Sequence, residues 1–349
     1  MTWRLGLARI SADRVMGQQT YEQELRHRAA VELGREWTVD DIAVRTLRSP
    51  LDGTRRLPSR LLVDAAPGLR RAAGRLLYRG HDVVHRLDLR LPPAPAREVL
   101  TIHDMAPWRF SDEGHAPPDA ASSAQRAAVV ICPSQFAADE VSWRLGVSDP
   151  VSIHNGVNAD FFDATPLSHV ELDALGIRQP FILHAGGCTG RKNLAGLAAA
   201  WPTVRRERPD VSLVLMGPHD PRRSELFGPL DATVCIGMII DELVARIMAA
   251  ATVVVVPSTY EGFGLPALEA MATGVPVVAS DRSSLPEVCG NAAFLVEPDA
   301  AGLAGGLIAA LEMGPDVKAM IARGRERAES FTWEASIAAH AALWRSCIP

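Results

Sequence analysis

Short, near-continuous runs of valine, isoleucine and leucine recur along this chain, each followed by a glycine or polar turn and then a helical stretch. The first series is "WRLGLARI" (3–10), "DVVHRL" (82–87), "EVLTIHD" (98–104), "AVVICPS" (128–134) and "PVSIHNG" (150–156). The second is "FILHAGG" (181–187), "VSLVLMG" (211–217), "ATVCIG" (232–237), "ATVVVVPS" (251–258) and "VPVVAS" (275–280). Strands without polar alternation must be covered on both faces, and intervening helices supply that cover in parallel sheets. The fold class is therefore α/β, with two Rossmann-like, doubly wound parallel-sheet domains facing across a cleft. Helix-like segments are expected at 18–33, 135–145, 193–206, 241–250, 265–273 and 301–312.

A polar, turn-rich passage, "HNGVNADFFDATPLSHVELDALGIRQP", separates the two series and reads as the inter-domain linker. This places an N-terminal domain at 1–160 and a C-terminal domain at 161–328. Residues 329–349 form an amphipathic segment, with Trp333, Ile337, Leu343 and Trp344 on one side, expected to pack back on the first domain. A length of 349 residues suits two cores rather than one.

Composition excludes several classes. A net charge of −5 leaves no global nucleic-acid footprint. The five cysteines are isolated, without a C-x-x-C pair, against both a zinc site and a disulfide framework. No apolar run approaches a membrane span and the N-terminus lacks a signal pattern, so the expected location is cytoplasmic. Residues 45–90 hold eleven arginines against four aspartates. Within them "APGLRRAAGRLLYRG" reads first as a solvated helix face, and second as a basic helix in peripheral contact with an anionic membrane.

The chain has 34 arginines and two lysines, Lys192 and Lys318. A lysine retained against such a bias suggests a need for a compact ammonium. Lys192 lies in "HAGGCTGRKNLAGL", at a strand end and before a helix, beside Arg191 and after Gly186, Gly187 and Gly190. Two adjacent cations with closely approachable backbone suit a diphosphate and the charge that develops as it leaves. The spacing is not that of a Walker loop, and no G-x-G-x-x-G follows a strand, which disfavours a dinucleotide dehydrogenase.

The stretch "STYEGFGLPALEAM" carries the second candidate site. Gly262 and Gly264 permit a sharp turn, Pro266 suits a helix start, and the helix N-terminus favours an anion. Glu269, about one turn inside, is placed to accept hydrogen bonds from a vicinal diol, and Glu261 to bind hydroxyls of a second sugar. Read structurally, Glu269 merely complements the helix dipole. In the first half, Gly17 follows the first strand and precedes a helix, where it can meet a phosphate or simply make a turn. His103 and Asp104 sit at a strand end suited to a catalytic contact, although a His-Asp pair is more often structural. His81 and His85 have metal-like spacing, but "HDVVH" reads as strand, so no metal site is expected.

Together, "VVHRLDLRLPP", "VLTIHDMAPWRF", "VICPSQFAADEVSWRLGV", "HNGVNADFF", "FILHAGGCTGRKN", "PSTYEGFGLPALEAMATGVPVVASDRSSLPEV" and "FTWEAS" resemble the retaining glycosyltransferases of family four, which have the GT-B fold. The resemblance spans nearly the whole chain, is densest in the C-terminal block, and leaves residues 35–80 unmatched. It implies that Arg191 and Lys192 bind the donor diphosphate, with Gly187 beside them. Glu269 would hold the ribose and Glu261 the transferred sugar, with Gly262 and the backbone amides of Phe263, Gly264 and Leu265. Gly17 would contact phosphate, and here "MGQQT" departs from the two glycines of many relatives. His103 would sit beside the reacting sugar, and Gly237, Met238 and Ile239 would meet the base through their backbone.

The implied reaction is transfer of a hexosyl group from a nucleoside-diphosphate sugar to an acceptor hydroxyl with retention. No carboxylate pair is placed for double displacement, so a front-face route fits better. The resemblance implies that no metal is required and that domain closure completes the site. The donor is expected to be UDP- or GDP-linked, leaning to GDP-mannose because "H-x-x-D…LPP" and "T-I-H-D" resemble the mannosyltransferase-like subset. The acceptor is a small molecule, a lipid-linked group or a glycan. The alternatives are a nucleotide-sugar hydrolase or epimerase of the same fold, or a nucleotide-sugar-binding protein without catalysis.

Overall fold

In the computed structural model, residues 2–12, 16–58, 61, 63–95 and 97–349 are described. Residues 13–15, which precede Gly17 in sequence, and Arg60 of the basic segment lie outside them.

The chain forms two compact units, Met1–Gly156 with Trp333–Pro349, and Val157–Thr332. The first is built on β1 (Trp3–Ile10), β2 (Trp37–Thr46), β3 (Arg55–Leu57), β4 (Val83–Arg86), β5 (Glu98–Thr101), β6 (Val129–Cys132) and β7 (Val151–Ser152). These strands form one sheet in the order β3-β2-β1-β4-β5-β6-β7, and every pairing is parallel. Helices α1 (Gly17–Leu33), α2 (Pro67–Leu77), α3 (Ala120–Arg126) and α4 (Gln135–Leu145) connect them.

The second unit contains β8 (Phe181–Ala185), β9 (Ser212–Met216), β10 (Thr233–Gly237), β11 (Val253–Val256), β12 (Val277–Ser280) and β13 (Phe294–Val296). Its order is β10-β9-β8-β11-β12-β13, again all parallel. Its helices are α5 (Ala159–Phe162), α6 (His169–Ala174), α7 (Leu194–Glu207), α8 (Pro221–Phe227), α9 (Asp241–Ala250), α10 (Leu265–Ala272), α11 (Leu285–Cys289), α12 (Ala300–Leu311) and α13 (Pro315–Glu329). Val253–Val256 is buried throughout, because apolar clusters cover both faces of this sheet. Sequence periodicity alone indicated this double cover.

Both sheets reverse strand order about their first strand, between β1 and β4 and between β8 and β11. Ligands of doubly wound sheets bind outside the carboxyl ends of strands at such a reversal. In the second unit that point is flanked by the loops after β8 and β11, which carry the two motifs with the densest chemistry.

Two features depart from the sequence reading. The passage expected as a linker mostly belongs to the second unit, since the division falls at Gly156–Val157. It folds into α5 and α6, and Leu167, Leu172 and Ile177 are buried in that unit's core. Its polar residues had masked three well-spaced apolar anchors. Secondly, "WTVDDIAVRT" is a ten-residue strand, β2. Its central acids hid it, yet Asp40 and Asp41 are paired with Arg4 and Arg9 of β1. The closing helix α14 (Trp333–Ser346), the segment expected to pack back on the first domain, belongs to the first unit, where Trp333, Ile337, Ala341 and Trp344 join Leu5, Leu7, Tyr21 and Leu25.

Candidate active site

After β8 the chain makes a single 3-10 turn, Gly190–Lys192, and Asn193 ends it in the left-handed conformation, φ 53°. Asparagine tolerates that region and its side chain is used three ways. It accepts from Gly196 N at 3.2 Å, capping α7, and donates to Pro257 O at 3.0 Å and Pro298 O at 2.7 Å. Thr259 N donates to Arg191 O at 2.8 Å. The turn carrying the two cations is thereby stitched to the loop after β11.

That loop leads into α10 through Gly264, whose φ of 108° favours glycine; a Cβ there would lie 2.7 Å from Leu285 Cδ2. Ser284 Oγ donates to the carbonyls of Glu261 (2.9 Å) and Phe263 (2.7 Å), and Glu261 N donates to Ser283 Oγ (2.9 Å). Backbone hydrogen bonds therefore fix Glu261 at the reversal point.

Its carboxylate is shared by both cations. Lys192 Nζ donates to Glu261 Oε1 at 2.7 Å and Arg191 Nη1 to Oε2 at 2.8 Å. Glu261 and Lys192 are only 5% and 8% exposed, so solvent does little to screen them. Burial by itself would raise the Glu261 pKa, but the Lys192 and Arg191 charges prevail and lower it to about 2. The carboxylate is ionised at any ordinary pH, and two positive charges face one negative.

Glu269 is different. It lies in the middle of α10, partly buried, with no side-chain hydrogen bond or ion pair among the described residues. Burial pushes its carboxyl up to about 7. A desolvated, unpartnered acid is destabilising unless something that hydrogen-bonds arrives. Gly237 closes β10 with φ 71°, and its carbonyl accepts from Gly217 N at 2.9 Å. Next to it Met238 is 48% exposed while Ile239 packs on the core. Gly187 follows β8, its carbonyl 3.5 Å from Arg223 Nη2. Phe263 and Leu265 are buried in the apolar core, leaving only their backbone for a ligand.

Gly17 and His103 belong to the first unit. Gly17 is the exposed first residue of α1. His103 follows β5, hydrogen-bonded to the Leu87 carbonyl; burial lowers its pKa to about 4, so the imidazole is neutral. Its Nε2 is buried without a partner among the described residues. The structure thus brings Arg191, Lys192 and Glu261 into direct contact, and among the described residues gives Glu269 no hydrogen bond or ion pair with them; Gly17 and His103 belong to the other unit.

Sequence reasoning missed a polar group at the first unit's own reversal point. Arg90 Nη2 donates to Asp88 Oδ2 at 2.6 Å, and Gln18 Nε2 to Glu22 Oε1 at 3.0 Å. Glu22 is buried, and burial raises its pKa to about 7. Two buried arginines shape the intervening loop: Arg70 and Arg86 both donate to the Leu91 carbonyl, at 2.9 and 2.6 Å. The "HRLD" that precedes this loop was its only sequence signal. No group of three or more His, Cys, Asp or Glu able to hold a metal ion occurs among the described residues.

Two doubly wound parallel sheets in one chain define the GT-B fold, and the charged trio stands where such a sheet binds its ligand. Sequence comparison adds that residues 179–313 match the family model of glycosyl transferases group 1. Part of the chain is also similar to mannosyltransferases. O-antigen chain mannosyltransferase B of Escherichia coli is 36% identical over 164 residues, 45% of this chain and 43% of that protein. A phosphatidyl-myo-inositol mannosyltransferase of Mycobacterium tuberculosis is 34% identical over 199 residues, 53% of this chain and 51% of the relative. The chain thus spans about half the length of the curated relatives it matches, or less. In fold, sucrose-phosphate synthase from Thermosynechococcus elongatus superposes with TM-score 0.75 at 24% identity, over 99% of this chain and 98% of its own. Anabaena HepE in complex with UDP-glucose gives 0.72 at 19% identity, over 99% and 100%.

Proposed function

We propose that the protein is a retaining glycosyltransferase that moves a hexosyl group from a nucleoside-diphosphate sugar to an acceptor hydroxyl. One observation carries this reading: Arg191 and Lys192 converge on Glu261 at the β8–β11 reversal point. Two cations balanced by one carboxylate keep a surplus positive charge in a poorly solvated place, which suits a diphosphate. Glu261 remains ionised and hydrogen-bonded, a fixed acceptor for sugar hydroxyls. Glu269, lacking a partner, accepts from the ribose diol. The backbone of Gly237, Met238 and Ile239 faces the base, and the amides of Phe263, Gly264 and Leu265 face the diphosphate and sugar.

As the glycosidic bond breaks, negative charge grows on the departing diphosphate, and Arg191 and Lys192 stabilise it. A diphosphate oxygen takes the acceptor proton as the acceptor attacks the same face, so configuration is retained without a metal ion. The acceptor is assigned to the first unit, where Asp88, Arg90, Glu22 and Gln18 offer hydrogen bonds to a polyol and neutral His103 accepts a hydroxyl. The donor is UDP- or GDP-linked; the mannosyltransferase relatives favour GDP-mannose, and HepE, solved with UDP-glucose, favours a uridine donor.

The test is product analysis with UDP- and GDP-sugars, with and without a polyol or lipid-linked acceptor. Acceptor-dependent glycoside of retained configuration is expected. Free sugar formed equally without acceptor would make the protein a hydrolase, and tight donor binding without turnover would make it a binding protein.

A peripheral membrane contact is also proposed, on a specific observation. Helix α2 anchors its inner face with fully buried Arg70, while Leu69 (60% exposed) and Leu76 (79%) point outward beside Arg71 and Arg75. Leucines flanked by arginines suit an anionic lipid surface. Co-sedimentation with phosphatidylglycerol vesicles is expected for the protein and not for Leu69→Ser/Leu76→Ser; equal sedimentation of both would discard the contact. No helix among the described residues is long and apolar enough to cross a membrane.

A further inference from the structure

A buried polar chain in the first unit begins and ends on the closing helix α14. Trp344 Nε1 donates to His85 Nδ1 at 3.2 Å. His85 Nε2 lies 2.8 Å from Thr101 Oγ1, and Thr101 Oγ1 lies 2.8 Å from Tyr21 Oη. Tyr21 Oη lies 2.8 Å from His340 Nε2, and His340 Nδ1 lies 2.7 Å from the Ser336 carbonyl. All five side chains are at most 2% exposed.

The chemistry of the two ends assigns every proton between them. An indole nitrogen only donates, so His85 Nδ1 bears no proton and Nε2 carries the hydrogen given to Thr101. A carbonyl only accepts, so His340 Nδ1 carries a hydrogen, and burial keeps that ring neutral with Nε2 as acceptor. Tyr21 spends its one proton on His340, hence Thr101 must donate to Tyr21. The chain runs one way, Trp344 to His85 to Thr101 to Tyr21 to His340 to Ser336, with the two histidines in opposite neutral tautomers. Fully satisfied buried networks of this kind hold their members in one geometry.

What they hold is Tyr21, and Tyr21 packs edge-on against His103, with ring centroids 4.9 Å apart and planes at 86°. Among the described residues His103 is hydrogen-bonded to Leu87, and its Nε2 is left without a partner. A single hydrogen bond leaves a ring free to tilt, and the Tyr21 edge removes that freedom. We propose that Tyr21, Thr101 and His340 are positioning residues for His103, so that helix α14 orients a side chain at the strand ends through Tyr21. The catalytic consequence rests on the reading of His103 as a substrate-contacting group.

Each variant alters one link of the chain at nearly constant volume. Tyr21→Phe keeps the ring and removes the hydroxyl, Thr101→Val breaks the chain isosterically, and His340→Leu removes the acceptor. His340→Gln restores an acceptor facing Tyr21, and Thr101→Ser restores the hydroxyl. In a donor and acceptor assay, kcat should fall about ten- to hundredfold in the first three, the scale of a slightly misplaced group. KM for the donor should stay unchanged, and His340→Gln and Thr101→Ser should recover most of the rate.

Nitrogen-15 NMR of the histidine rings at pH 7 gives a readout independent of turnover. The wild type should show His85 as the Nε2–H tautomer and His340 as Nδ1–H, and His103 signals should shift or broaden in Tyr21→Phe and His340→Leu but not in His340→Gln. His103 signals unmoved in the folded variants would overturn the proposal. If the wild type transfers no sugar yet His103 responds as described, positioning stands and the functional reading falls. If Tyr21→Phe loses stability with kcat intact, the chain is purely structural and the proposal fails.

Discussion

Lys192 Nζ and Glu261 Oε1 are 2.7 Å apart, both buried, and Arg191 holds the other oxygen of the same carboxylate. The carboxylate therefore occupies cations that the proposed donor diphosphate also requires. Glu261→Ala frees both. We expect nucleoside-diphosphate affinity to rise severalfold while transfer falls at least about a hundredfold, the scale of losing one oriented polar group in a desolvated site. Calorimetric binding alongside steady-state assay checks this; loss of binding and turnover together would show that Glu261 organises the loop instead.

Lys192→Ala removes one partner from a buried pair and leaves Glu261 less compensated. Such a loss costs about 3–5 kcal/mol when the remaining charge is stranded, and Arg191 reduces that here. A drop in unfolding free energy of about 2 kcal/mol is expected by denaturant titration. Lys192→Arg should also impair transfer, since a guanidinium cannot replace a compact ammonium at a single 2.7 Å contact.

Glu269 titrates near 7 in the absence of ligand because burial raises its pKa. Accepting two ribose hydroxyl protons requires the ionised form. Affinity for a nucleoside diphosphate should therefore be about tenfold weaker at pH 6 than at pH 8. Glu269→Gln should lose this component; the diphosphate's own ionisation is common to both proteins, so their difference isolates Glu269.

Gly264 combines φ 108° with a Cβ position 2.7 Å from Leu285 Cδ2. Gly264→Ala should lower stability by about 1–3 kcal/mol. Adding Leu285→Ala should not restore it, because the backbone strain remains. Melting temperatures of the single and double variants decide the point.

His340 is neutral in the folded protein until about pH 4, against 6.5 for an ordinary histidine. Between those values the unfolded chain binds more protons, so stability is full above about 6.5 and declines toward pH 4. The loss from this residue approaches about 3 kcal/mol at the lower limit. Glu22 slopes the other way, since burial raises its pKa to about 7 and it favours the folded state at lower pH. The difference between wild type and His340→Gln, measured by denaturant unfolding at pH 7.5, 6 and 5, separates the two.

Much of this architecture was legible because it rests on local pattern. The run Val253–Val256 could only be a doubly covered strand, and Gly-Phe-Gly-Leu-Pro could only be a sharp turn into a helix. The Arg191, Lys192 and Glu261 grouping was partly legible: each residue stood at a strand end, but their shared carboxylate depends on strand order, which no local pattern encodes. Asp40 and Asp41 in β2 misled because their arginine partners lie on a neighbouring strand. Buried Arg70, Arg86, His85 and His340 look like surface residues in sequence, and only tertiary hydrogen bonds reveal them as interior. The linker at 154–180 failed for the opposite reason, since three apolar anchors sufficed to bury a polar-looking passage.

The most direct measurement is a thermal-shift and calorimetric panel of UDP, GDP, ADP and dTDP against wild type and Arg191→Ala/Lys192→Ala. A ligand that binds only the folded form raises its melting temperature. One or two of the four should stabilise the wild type and none the double variant, with Phe181–Ala185 and Val253–Val256 still folded by circular dichroism. Undiminished stabilisation of the double variant would contradict the assignment of the donor diphosphate to this pair.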